Sequence, residues 1–102
     1  MFPPHQAIFW KIDIEGHEVN AMRGALQLLG SASLKHVHFE WSRSMISAVG
    51  SKPRDAFDLL MKRGFSCMFE EEAAKTQPRL LVSPDDTVLN DVKVKANFYC
   101  RR

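Results

Sequence analysis

Residues 8 to 30 read IFWKIDIEGHEVNAMRGALQLLG, and the fold turns on how this run changes character halfway along. Ile8, Phe9, Trp10, Ile12 and Ile14 are apolar almost without alternation, the pattern of an inner strand of a parallel sheet covered by helices. After Gly16 the period lengthens. Val19, Met22, Leu26 and Leu29 recur at steps of three and four with Glu18, Asn20, Arg23 and Gln27 between them, and Gly30 supplies a stop. This spacing predicts one amphipathic helix directly behind a strand. At the join stand Asp13, Glu15 and His17, polar groups that a buried strand has no reason to end on.

Working outward, LKHVHFEW at 34 to 41 reads as a second strand, with His36, His38 and Glu40 on one alternate face. Ser51 to Asp55 offers a cap candidate, a proline suited to a first helical turn and an early acid. Phe57, Leu60 and Met61 then form a buried stripe, and Gly64 ends that helix. FSCMF at 65 to 69 is a third strand. Residues 70 to 91 are polar, broken by Pro78 and Pro84, and read as a long connection with a short extended piece at 80 to 82. KVKANFYCR at about 93 to 101 closes the chain as a last strand. The order strand, helix, strand, helix, strand, loop, strand is that of an α/β domain with right-handed crossovers and helices on the sheet faces. The final strand, reached without a helix, lies antiparallel.

Composition narrows the function classes. A chain of 102 residues with 45% hydrophobic residues is one domain or part of one. The net charge of +2 carries no basic stripe, which argues against a nucleic-acid partner. No run reaches the length of a bilayer span, and the opening MFPPHQAIFW lacks the features of a signal peptide. Cys67 and Cys100 fit neither a CxxC pattern nor a metal spacing, and as unpatterned thiols they point to a reducing compartment, the cytoplasm.

In open α/β sheets ligands bind beyond the carboxyl ends of the strands, which is where Asp13, Glu15, His17 and Glu40 fall. Asp13 and Glu15 project to one face, as candidate catalytic acids at the strand end or alternatively as caps of the next helix. His17 is a base by residue type. Glu40, with Trp41 beside it, is a candidate contact to a substrate, or a carboxylate satisfied by a backbone turn. His36, His38 and Glu40 have a spacing that two-histidine metal sites use, but no second ligand cluster accompanies them. A polar sheet face is the simpler reading, and no metal is assigned.

KIDIEGHEVNAMRGALQLL followed by HVHFEWS resembles the second half of the FkbM-type methyltransferases. These are S-adenosylmethionine-dependent enzymes that methylate hydroxyl groups of sugars and other small molecules. Lys11, Ile12, Asp13, Glu15, Gly16, Glu18, Gly24, Ala25, Phe39 and Glu40 match the family pattern in order, and NFYCRR is similar to its last strand. The resemblance implies a Rossmann-like class I methyltransferase sheet, partial, comprising the family's strands four to seven in the spatial order four, five, seven, six. It implies S-adenosylmethionine as cofactor, a small hydroxyl compound as acceptor, and Asp13 near both the transferred methyl and the acceptor oxygen, where it would orient the hydroxyl or accept its proton.

The family's first strand and glycine-rich turn have no counterpart here, since Gly16, Gly24, Gly30, Gly50 and Gly64 form no GxGxG. On this reading the chain is a single partial domain over residues 1 to 102 lacking the cofactor-binding half, and does not bind the cofactor alone. Strand 8 to 14 then has an uncovered apolar edge, open to a homo-oligomer or a complementing chain. Two functions stay open: an O-methyltransferase or its acceptor-side fragment, and an inactive fragment serving as an interaction module through that edge.

Overall fold

A computed structural model describes residues 8 to 102. Four strands form one mixed sheet: β1 (Ile8–Ile12), β2 (Leu34–Trp41), β3 (Ser66–Phe69) and β4 (Ala96–Arg101), in spatial order β1-β2-β4-β3. β1 and β2 are parallel, and β4 runs antiparallel to both of its neighbours, β2 and β3. The chain is therefore an α/β fold with a reversed last strand.

Four short helices connect the strands: α1 (Glu18–Gly24) and α2 (Leu26–Leu29) between β1 and β2, then α3 (Arg43–Ala48) and α4 (Asp55–Met61) between β2 and β3. Both crossovers step the same way across the sheet, and right-handed connections that step the same way deliver their helices to the same face. The packing agrees. Ile12, Val37, Phe39, Trp41, Cys67, Phe98 and Cys100, alternate residues of the four strands, share one core with Val19 and Met22 of α1, Leu29 of α2, Ile46 of α3 and Phe57 and Leu60 of α4. Phe39, Trp41, Phe57 and Phe98 pack within it, mostly tilted or edge to face, at ring separations of 4.9 to 6.0 Å. The expectation of helices on the sheet faces is thus narrowed: among the described residues, α1 to α4 all pack on one face. The other carries Phe9, Lys11, His36, His38, Glu40, Asn97 and Tyr99, with Phe9 57% exposed.

Further corrections have local causes. The helix expected without interruption up to Gly30 is broken at Ala25, whose φ of −122° and ψ of 35° are not helical, directly after Gly24, a weak helix former. Ser51 does not cap α4; its hydroxyl donates to Asn20 Oδ1 at 3.2 Å, and Arg54 occupies the cap position without a side-chain bond. α3 was not expected at all. Its cap is Ser42, whose Oγ accepts from the Met45 amide at 3.3 Å, but six residues are too few to show a period. The connection after β3 holds two 3₁₀ helices, Glu70–Ala74 and Thr87–Asp91. Residues 80 to 82 form no strand, although Leu81 N donates to Cys67 O at 2.8 Å and so flanks β3.

Cys67 and Cys100 are not free thiols. They face each other across β3 and β4 with Cα atoms 4.1 Å apart and form a disulfide. Because the Cys67 carbonyl is turned outward to Leu81, this is a non-hydrogen-bonded pair, the position where cross-strand side chains approach most closely. The expectation of a reducing compartment drew on unpaired thiols, which the structure does not contain. Among the described residues, no helix is long and apolar enough to cross a membrane.

Candidate functional site

The turn after β1 is built around an acid that sequence reading did not single out for a role. Glu18 is buried, and its carboxylate accepts from Ile14 N at 3.0 Å and Gly16 N at 2.9 Å. Glu15 and Gly16 both have positive φ, 45° and 96°. A Cβ on Gly16 would lie 2.5 Å from the carbonyl oxygen of Met45, so this glycine lets the turn close against α3. Glu18 thus holds the amides of the turn, and Asp13, considered as a cap for the next helix, is exposed and without a hydrogen-bond partner among the described residues.

Asp13 opens on a cavity of about 550 Å³ at the carboxyl ends of β1 and β2. Phe9 and Lys11 of β1, His38 and Glu40 of β2, Asn97 of β4 and Glu70 after β3 line it with Asp13. Of the expected site residues, Asp13 and Glu40 therefore come together. Glu15 and His17 are exposed outside this cavity; the His17 ring sits 3.3 Å from the Asn20 side-chain nitrogen. Trp41, expected to contact a substrate, is instead a core residue. Strand alternation turns it to the covered face, where it is 2% exposed and its Nε1 donates to Pro53 O at 2.9 Å.

Glu40 is 3.7 Å from Lys95 Nζ. A second, larger cavity of about 940 Å³, between the two 3₁₀ helices and the start of β4, shares Glu70 and Asn97 with the first and adds Arg79, Lys93 and Lys95. Glu70 and Asn97 thus stand between the two cavities. Glu70, read from the sequence as the start of a solvated loop, follows β3 directly. The rule that singled out Asp13 and Glu40 applies to it equally, so the signal was present.

The histidines of the open face differ in what they engage. His36 Nδ1 pairs with the Tyr99 hydroxyl at 2.6 Å. His38 lies between the rings of Phe9 at 4.6 Å and Tyr99 at 4.5 Å, half-buried, with no hydrogen bond to a described residue. Burial holds its pKa below the ordinary histidine value, helped by His36 and Lys11 and opposed by Glu70. Among the described residues, no three His, Cys, Asp or Glu converge as a metal site. His36, His38 and Glu40 follow one another along a strand, about 7 Å apart, and another element would have to bring further ligands to them.

The fit to a nucleoside-type methyl donor is poor on the described residues. Gly16, the glycine at this rim, faces the Met45 backbone, and neither Gly24, Gly50 nor Gly64 lines the cavity. What the rim offers is carboxylates, an amide, an imidazole and an exposed aromatic ring, a set that binds and polarises hydroxyl groups. No family model, curated protein or solved structure matches this chain.

Proposed function

We propose that this rim is the acceptor side of an O-methyltransferase of the FkbM kind, where a small hydroxyl compound is held against Asp13 and Glu40. One observation carries the reading: the ends of two adjacent parallel strands deliver Asp13 and Glu40 into a single open cavity, the place where α/β sheets bind ligands. The sheet order, with its last strand reversed, agrees with a partial Rossmann-like methyltransferase sheet. S-adenosylmethionine is the donor this reading requires, and residues other than those described here would hold it. The role of this chain is to fix the acceptor oxygen and prepare it for transfer, since correct placement supplies much of the rate in such reactions.

The test is a titration of the ¹⁵N-labelled chain with monosaccharides and polyols, followed by amide shifts. The expected result is shifts at Lys11, Asp13, His38, Glu40 and Asn97 that weaken in Asp13→Asn. Shifts confined to the helical face, or none at millimolar ligand, would overturn the proposal. A second reading, an interaction module, has its own support in β1, which pairs only with β2 among the described residues and exposes Phe9.

A further inference from the structure

We infer that His38, rather than His17 or His36, is the histidine that takes the proton from a hydroxyl bound in the cavity at the ends of β1 and β2. The inference rests on the acceptor-side reading of that cavity and adds to it a residue with a defined task.

The argument is one of availability. A proton acceptor must be unprotonated, must reach the ligand and must have a lone pair not already committed, and among the histidines these conditions select one. Three histidines are described. His17 lies outside the cavity beside Asn20, and the Nδ1 of His36 is occupied by the Tyr99 hydroxyl at 2.6 Å. His38 alone lines the cavity, and neither of its ring nitrogens bonds a described residue. Phe9 and Tyr99 clamp its ring from both sides, which restricts its rotation without using its nitrogens.

The charges around it act in opposed senses. Lys11 from β1 and His36 from β2 disfavour the imidazolium, as does burial, while Glu70 after β3 favours it. Among the described residues, Asp13, Glu40 and Tyr99 also stand on that side, with Lys95 3.7 Å from Glu40. The balance leaves the free imidazole neutral near pH 7. Once it takes a proton, the imidazolium has the Glu70 carboxylate nearby, a pairing of base and acid often found where protons are moved.

The step is a plain proton transfer. The O–H bond breaks, an N–H bond forms on the imidazole, and the oxygen keeps the electron pair with which it can form a new bond. Asp13 and Glu40 are then free to orient the hydroxyl and need not become protonated.

The experiment follows the histidine side chains by NMR across pH 4 to 9 in the whole chain, and their acylation by diethyl pyrocarbonate at pH 6 by peptide mapping. The expected result is a His38 midpoint below the ordinary histidine value and the fastest acylation at His38. Glu70→Gln, an exposed change, lowers the midpoint further. A His38 that titrates at or above the ordinary value, or that reacts more slowly than His36, overturns the inference. Where the chain, supplied with donor and a complementing half, transfers methyl, His38→Gln loses the acid limb of the pH profile and a rate factor on the order of 10² to 10⁴; an unchanged profile also overturns it. Failure of transfer in the wild type defeats the methyltransferase reading, while the titration and acylation still decide whether His38 is the available base.

Discussion

The guanidinium of Arg102 donates to the carbonyls of Leu34 at 3.0 Å and Arg63 at 2.8 Å, and to that of Ser31, while lying 4.3 Å from the centre of the Phe65 ring. Ser31 and Arg63 follow the ends of α2 and α4, where unpaired carbonyls concentrate negative potential. One cation thus ties the starts and ends of three elements. Hydrogen bonds to charged groups contribute about 1.5–3 kcal/mol each and do not add fully. Arg102→Ala is expected to lose roughly 2–4 kcal/mol in urea unfolding, and Arg102→Lys to recover only part, because an ammonium cannot fork to three carbonyls in fixed geometry. A midpoint that does not move in Arg102→Ala would contradict this account. At the same scale the site was half legible. Asp13 and Glu40 could be placed because residue type and strand end suffice to locate them. Glu18 and Trp41 could not be assigned, because which acid turns inward depends on the positive φ of Glu15 and Gly16, and which face of β2 is covered depends on crossover direction.

Among the elements, β3 and β4 are joined by more than their ladder. Cys67–Cys100 closes a loop spanning 33 positions, from β3 through both 3₁₀ helices to β4. In the chain-entropy account a loop of this length stabilises the fold by about 3–4 kcal/mol. Reduction, or the double replacement Cys67→Ala with Cys100→Ala, is therefore expected to lower the unfolding free energy by about that amount. A urea titration with and without reductant measures it, and coincident curves would show that the bond does not form. The pairing was hidden in the sequence because only strand register, not spacing, brings residues 67 and 100 opposite each other. Strand existence was readable from continuous apolar runs and turn signals, whereas the spatial order came only with the family resemblance. The break at Ala25 and the six-residue α3 were not, since both are shorter than the window in which a helical period shows.

For the whole molecule, the decisive feature is asymmetry among the described residues: four helices on one face, and on the other a surface that buries Met68 and Tyr99 over β3 and β4 but leaves Phe9 of β1 57% exposed. β1 is an edge strand among the described residues, and parallel edge strands are ordinarily covered. Its outward residues are Phe9, 57% exposed, and Lys11, a charge of the sort that discourages edge pairing. These two pull in opposite directions. An exposed phenyl ring gains about 1.5–3 kcal/mol on full burial, whereas one lysine on a five-residue strand can escape to solvent at the end of its flexible stem. Hydrophobic gain should win, and the isolated chain should self-associate with rising concentration. Sedimentation velocity over a hundredfold concentration range is expected to show the weight-average coefficient climbing, and Phe9→Lys to flatten that climb while leaving the thermal midpoint of dilute protein nearly unchanged, because Phe9 lies outside the core. A chain that stays monomeric throughout the range would mean that Lys11 suffices to protect the edge, and would remove the support for the interaction-module reading.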